Sequence, residues 1–151
     1  MIVDTSVFIA LMRAEPEARA LGQAMRDAPV RRLSAASYVE VAAVVDGAGD
    51  AAAASALDDL LAMWRIRIEP FTPAQARIAR TAYQRFGRGS GHPARLNLGD
   101  CFSYALARDL GEPLLFKGGD FAHTDIELVV EPIKGKRLSE VVAAYEGSAP
   151  G

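Results

Sequence analysis

The sequence predicts an α/β fold in which a parallel sheet is covered by helices on both faces. Short apolar segments typical of buried strands, such as residues 1–4 and 114–116, alternate with longer segments of helical periodicity. Acidic residues also recur where predicted strands end and inside apolar helical segments. Because ligands of such folds bind beyond the C-terminal edge of the strands, the same pattern predicts where the functional site lies.

The composition indicates one globular domain. The chain has 151 residues, of which 50% are apolar and 24% are charged, enough for one complete core. The lone Cys101 excludes an internal disulfide framework and fits a reducing compartment. Neither a signal peptide nor an apolar run of membrane-spanning length is recognisable, so we expect a cytoplasmic protein without membrane contact. We predict one domain over residues 1–146 and a disordered tail over 147–151.

The first quarter of the chain begins with a short buried strand over residues 1–4. A helix over 5–13 follows, and its own first two residues, Thr5 and Ser6, are candidate N-caps. A second helix is predicted over 16–28, where a proline occupies the favourable first helical position. Residues 32–34 then form a short strand.

The middle of the chain is mostly helical. Residues 36–46 predict a mostly buried helix that ends at glycines. Residues 51–64 are the clearest amphipathic helix, with leucines and a tryptophan at helical spacing. Residues 65–69 alternate polar and apolar side chains, which indicates a strand. A further helix is predicted over 74–86, after a Thr-Pro pair.

The last third opens with a flexible Gly-rich loop over 87–91. A helix over 100–110 is expected to be capped near Asn97 and to stop at Gly111. A buried strand over 114–116 follows. The remaining predicted elements are a turn or short helix over 118–121, a strand over 128–130 and a helix over 138–145.

Acidic residues are the main indication of function. A carboxylate in an apolar segment is costly to bury, and four occur in such contexts: Asp4, Glu40, Asp100 and Asp120. Asp4 ends the first strand, and Asp120 follows the strand over 114–116. Glu40 and Asp100 lie near helix starts, which meet the same edge of the sheet. We therefore expect all four to converge on one pocket.

A cluster of this kind requires a cation. At about 5 Å and an effective dielectric of about 20, each like-charged pair costs roughly 3 kcal/mol, against a usual domain stability of about 5–15 kcal/mol. All-oxygen ligation favours Mg²⁺ or Mn²⁺. Such a metal activates water and stabilises charge on phosphate, which predicts phosphodiester hydrolysis. Taken singly, each acid could instead be a helix cap or a turn residue.

A basic stretch lies beside these acids. No carboxylate occurs between Glu69 and Asp100, but five arginines do. Those in or near the Gly-rich loop, Arg85, Arg88 and Arg95, are candidate contacts to an RNA backbone, as is Lys117 further on. The alternative is that these side chains only solvate the surface.

Four segments together resemble PIN-domain ribonucleases, and more closely the VapC toxins of bacterial toxin–antitoxin pairs. They are MIVDTSVFIAL, SYVEVAAVV, HPARLNLGDCFSYALA and PLLFKGGDFAHTDI, and the resemblance runs from Met1 to about Ile126. It implies a three-layer α/β/α sandwich with a five-stranded parallel sheet. It also implies that the four acids are catalytic and hold the metal, that RNA is the substrate, and that a VapB-type antitoxin is a partner. Homodimers are common in this family. Gly119 departs from the pattern, because similar proteins often carry a polar residue there.

Four further residues are candidates to support the site by hydrogen bonding: Ser6, Asn97, Thr124 and Asp125. Helix capping is the simpler role for the first two. Three other functions stay open. The chain could be a PIN-type nuclease outside a toxin pair, acting in RNA processing or on DNA. It could be a non-catalytic binding domain. A phosphorylation-receiver domain is less consistent, because residues 32–34 offer no phosphoacceptor aspartate.

Overall fold

A four-stranded parallel sheet forms the centre of the protein in the computed structural model, which describes residues 1–129. The strands are β1 (Ile2–Val3), β2 (Arg32–Ser34), β3 (Arg67–Glu69) and β4 (Leu114–Leu115), in the order β3-β2-β1-β4. All neighbouring pairs are parallel. The predicted α/β class with a parallel sheet is confirmed.

The strand count differs from the five that were expected. The predicted strand over 128–130 contributes, among the described residues, one isolated parallel bridge between Leu128 and Leu114. This bridge continues the sheet beyond β4, where Leu114 N donates to Glu127 O and Val129 N donates to Leu114 O. The predicted helix over 138–145 and the tail over 147–151 lie outside the described residues, as does the end of the predicted domain.

Six α-helices are present in the described part of the chain, each within two residues of its predicted ends. They are α1 (Thr5–Met12), α2 (Ala18–Asp27), α3 (Ala35–Asp46), α4 (Ala51–Met63), α5 (Pro73–Phe86) and α6 (Leu98–Leu110). A short 3-10 helix, Asp120–His123, stands where a turn or short helix was predicted. None of the helices in residues 1–129 is long and apolar enough to cross a membrane.

The helix starts required two corrections. The N-cap of α1 is Asp4, whose side chain accepts from the Ser6 backbone N–H, and neither of the residues predicted to cap it does so. A carboxylate at this position satisfies a free backbone donor and faces the positive end of the helix. Pro16 is not the first residue of α2, because the N-cap of that helix is Glu17.

Helix α3 is less buried than predicted. Val39 and Val44 are 63% and 55% exposed, and burial is confined to one face with Ser37, Val41 and Val45. A helix can press only one stripe against a sheet, so an apolar composition did not mean burial on all sides. Strand β3 likewise begins only at Arg67, because the two preceding residues turn out of α4.

Two hydrophobic cores lie on opposite faces of the sheet. Ile2 and Leu114 belong to the core that contains α5 and α6, whereas Val3 and Leu115 belong to the core that contains α1, α3 and α4. Successive strand residues point to opposite faces, so the alternation separates the two layers of helices. The result is a three-layer arrangement, with the C-terminal ends of β1 and β4 opening onto one cavity.

Candidate active site

A cavity of about 320 Å³ lies beyond the C-terminal ends of β1 and β4. Three of the four predicted acids line it: Asp4, Asp100 and Asp120. The other lining residues are Thr5, Ser6, Ile9, Glu15, Asn97, Phe116, Lys117 and Phe121. Elements from both ends of the chain therefore meet at the edge of the sheet where a ligand was expected.

Asp4 is the most buried acid of the site, at 3% exposure. Its Oδ2 accepts from the Ser6 N–H at 3.0 Å and from the Ser6 hydroxyl at 2.6 Å. Its Oδ1 accepts from the Ser103 hydroxyl at 2.6 Å. The Ser6 oxygen in turn accepts from the backbone N–H of Lys117 at 3.0 Å, which ties the end of β1 to the segment after β4.

Asp100 lies in the first turn of α6 and forms a capping box with Asn97. The Asn97 N–H donates to Asp100 Oδ2 at 2.7 Å, and the Asp100 N–H donates to Asn97 Oδ1 at 2.8 Å. Burial raises the pKa of the Asp100 carboxyl to about 7, assisted by the charges of the other three acids and opposed by the Asn97 hydrogen bond. All four carboxyl groups therefore act on one another electrostatically.

Glu40 stands beside the cavity, against the start of α6. A Cβ atom added at Gly99 would lie 2.1 Å from Glu40 Oε1 and 2.4 Å from Oε2, so only glycine allows this approach. Burial, and then the charge of Asp4, raises the pKa of Glu40. Its Oε2 is buried without a hydrogen-bond partner, which is unusual for a carboxylate oxygen.

The carboxylates are close but not arranged as a finished metal shell. Among residues 1–129, no three Asp, Glu, His or Cys side chains form a group already able to hold a metal ion. The reason is visible in the hydrogen bonds, because oxygens of Asp4 and Asp100 face the donors of their own helix starts. Ligation by three acids therefore requires side-chain rotation within the site.

Lys117 lines the cavity, but its ammonium group is already paired. It contacts the Glu15 carboxylate closely and lies 3.6 Å from that of Glu17. These contacts raise the pKa of Lys117, chiefly through the hydrogen bond to Glu15. A phosphate that binds here would have to compete with both glutamates.

The remaining predicted residues lie outside the cavity wall. Asp125 accepts from the Tyr104 hydroxyl at 2.6 Å and pairs with Arg85 at 3.6 Å. Thr124 donates to the Phe121 carbonyl at 2.7 Å within a local turn. Arg88 and Arg95 are exposed on the loop before α6.

Four residues of the site were missed at first. Ser103 and Ser37 are fully buried hydroxyls in apolar helices, and each lies three residues from a predicted acid, Asp100 and Glu40 respectively. That spacing was a usable signal, because residues three apart share a helix face. Gly99 gives Glu40 its space, and Glu15 lines the cavity; neither had a signal in the sequence.

Comparison with known proteins gives a consistent result. A protein-family model described as PIN domain matches residues 1–127. The chain is 54% identical to Ribonuclease VapC28 of Mycobacterium tuberculosis over 131 residues, 87% of this chain and 98% of that protein. It is 49% identical to Ribonuclease VapC42 of the same species over 126 residues, which are 83% of this chain and 96% of that protein.

Two solved structures share the fold. Mycobacterium tuberculosis VapC20, described as a sarcin-ricin loop cleaving toxin, superposes with a TM-score of 0.65 at 22% identity. A toxin–antitoxin complex from Klebsiella pneumoniae superposes with a TM-score of 0.63 at 19% identity. Each match covers 87% of this chain and 98% of the other. At these identities the two structures speak for the fold.

Proposed function

The chain belongs to the PIN domain family, and we propose that it is a metal-dependent endoribonuclease toxin neutralised by a small antitoxin. Relatives at 49–54% identity over most of the chain are named VapC ribonucleases, and the complete acid set is present here. One observation carries the proposal. The charges of Asp4, Glu40 and Asp120 all act on Asp100 and help to raise its pKa, so four acids distant in sequence share one site.

The residues present fit a divalent cation. The candidate ligands are carboxylates of Asp4, Glu40, Asp100 and Asp120, an oxygen donor set of the kind that Mg²⁺ and Mn²⁺ prefer. The buried Glu40 Oε2 has no hydrogen-bond partner, and a cation would satisfy it. The raised pKa values of Glu40 and Asp100 reflect burial and repulsion that a cation would relieve. When bound, Mg²⁺ or Mn²⁺ would activate a water and stabilise charge on the phosphate.

The chain's own residues prepare this site. Ser6 and Ser103 hold the Asp4 carboxylate through three hydrogen bonds, and Asn97 holds that of Asp100. Gly99 leaves space for Glu40. Preorganised groups of this kind need little rearrangement during reaction, which is the main way that proteins stabilise developing charge.

RNA would enter over the basic loop. Arg88 and Arg95 are exposed beside the start of α6 and are the better candidates for phosphate contact. Arg85 is held by Asp125 and lies 4.6 Å above the Phe86 ring, so its charge is partly neutralised. Lys117 becomes a phosphate contact only if it leaves Glu15.

We further propose Mg²⁺ or Mn²⁺ as the metal, a VapB-type antitoxin as the protein partner, the cytoplasm as the location and a homodimer as the assembly. Size-exclusion chromatography with light scattering would measure the last of these. A monomer at all concentrations would exclude the homodimer and leave the nuclease proposal unaffected.

RNA cleavage with metal removal tests the function. Purified protein is incubated with total RNA in Mg²⁺ or Mn²⁺, and in parallel with EDTA. We expect cleavage that EDTA abolishes and that Asp100→Asn eliminates. Asp59→Asn, which changes an exposed carboxylate on α4, is the matched control and should cleave like the wild type. Cleavage at the same sites in EDTA would contradict the metal-dependent mechanism.

A further inference from the structure

We propose that Ser103 is a positioning residue that orients Asp4 for metal binding, so that Asp4 binds the metal through Oδ1. The inference rests on the proposed function, because it concerns how the same site holds its metal. Ser103 lies on α6 and Asp4 at the end of β1, 99 positions apart in the sequence, and their side chains meet in a buried hydrogen bond of 2.6 Å.

The acceptor capacity of the Asp4 carboxylate identifies the oxygen. Each carboxylate oxygen has about two lone pairs. Oδ2 already accepts two hydrogen bonds, from the Ser6 N–H at 3.0 Å and the Ser6 hydroxyl at 2.6 Å. Oδ1 accepts only the Ser103 hydroxyl among the hydrogen bonds that the structure describes for it. One lone pair on Oδ1 therefore stays available to a cation.

Ser103 also links Asp4 to the two helices that carry other acids. It lies one turn after Asp100 on α6, and its hydroxyl is 3.5 Å from that of Ser37, which lies one turn before Glu40 on α3. The single hydroxyl hydrogen of Ser103 is used on Asp4, so Ser37 must be the donor to Ser103. The hydrogen bond to Asp4 fixes the carboxylate relative to α6, while Ser37 touches only Ser103.

These contacts separate a positioning role from a merely structural one. Loss of either hydroxyl removes a buried polar contact and should lower metal-free stability. Only loss of the Ser103 hydroxyl frees Oδ1 from its orienting donor. Partners that orient metal ligands typically change metal affinity by about 10- to 100-fold when removed. Metal affinity therefore distinguishes the two serines.

The test measures Mn²⁺ binding by isothermal titration calorimetry on the full chain, together with thermal unfolding in EDTA. We expect Ser103→Ala to weaken Mn²⁺ binding by about 10-fold or more, with the protein folded at the assay temperature. Ser37→Ala, the matched control, should unfold at a lower temperature in EDTA but bind Mn²⁺ within about two-fold of the wild type, because the donor to Asp4 stays in place. Ser103→Thr retains a hydroxyl and should restore most of the affinity.

The outcomes separate this inference from the proposed function. If wild type binds Mn²⁺ and folded Ser103→Ala binds it equally well, the positioning role is overturned and the metal site stands. Equal losses of affinity in Ser37→Ala and Ser103→Ala would also overturn it, because general loosening of the core would then suffice. If the wild type binds no Mn²⁺, the metal-dependent function falls together with the inference. Should Ser103→Ala not fold, Ser103→Cys, whose thiol is only a weak donor, serves in its place with the same expected direction.

Discussion

Replacing Asp100 with asparagine should stabilise the metal-free protein and remove its response to Mg²⁺. The Asp100 carboxyl has its pKa raised to about 7 from an ordinary 3.8. Its folded pKa lies above its unfolded value, so the folded state binds the proton more tightly. The contribution of this group to stability is therefore fully present below about pH 4 and is lost as the pH rises through about 7.

The magnitude follows from that pKa. A rise of roughly three pKa units corresponds to about 4 kcal/mol, but Asp100 is only partly buried and water screens the repulsion, so about 2 kcal/mol is the better expectation. Asparagine can still accept the Asn97 N–H through its amide oxygen, but loses a favourable charge at the helix start, worth about 0.5 kcal/mol. The net gain in EDTA at pH 8 is thus about 1–2 kcal/mol, or roughly 2–8 °C in Tm for a chain of this size.

Thermal unfolding at pH 5 and pH 8, in EDTA and in Mg²⁺, measures these effects. Asp100→Asn should exceed the wild type at pH 8 in EDTA and lose that advantage at pH 5. Saturating Mg²⁺ should raise the wild type by about 2.7 kcal/mol at 100 times Kd and leave the variant nearly unchanged, so the order of stability reverses. Asp59→Asn should follow the wild type throughout. An Asp100→Asn protein that is less stable than the wild type in EDTA at pH 8 would show that the carboxylate is a helix cap alone, and the reasoning would fail.

Three further substitutions have defined outcomes. Gly99→Ala would place a methyl group 2.1 Å from Glu40 Oε1 and displace that carboxylate, so RNA cleavage should fall by about 10-fold or more, while the better helix propensity of alanine favours the fold by up to about 1 kcal/mol. Arg88→Ala combined with Arg95→Ala should weaken binding of a labelled RNA to a cleavage-dead protein and flatten the salt dependence by about 1.4, at roughly 0.7 per phosphate contact. Tyr104→Phe should cost about 1–2 kcal/mol of unfolding free energy, because its partner is an ionised carboxylate, with RNA cleavage unchanged.

Each of these has a control. Arg77→Ala combined with Arg80→Ala changes exposed charges on α5 and should leave the salt slope unaltered; an equal effect would mean that the loop charge acts only at long range. Undiminished cleavage by Gly99→Ala would exclude Glu40 from the site. Loss of cleavage in Tyr104→Phe would return Asp125, which Tyr104 contacts, to the group of site residues.

Local patterns predicted much of this fold because their causes are local. Thr72 caps α5 immediately before Pro73, and Gly111 ends α6 with a φ of 63° that glycine adopts readily. Burial was less predictable, because an apolar composition does not show which face of α3 meets the sheet. Partners distant in the sequence were not predictable at all. The Arg85–Asp125 and Lys117–Glu15 pairs depend on how separate elements approach, and both remove charge from side chains that looked free.

The predicted acids could be interpreted singly as helix caps or jointly as a metal pocket, and the structure shows that these roles are compatible. Asp4 caps α1 through Oδ2, and Asp100 completes the capping box of α6 through Oδ2. In both residues, capping occupies one oxygen and holds the side chain in place, which leaves acceptor capacity on the other. Because α1 and α6 both begin at the C-terminal edge of the sheet, capping brings the two carboxylates to the same cavity. The hydrogen bonds that start these helices therefore also assemble the site, and their like charges make it receptive to a cation.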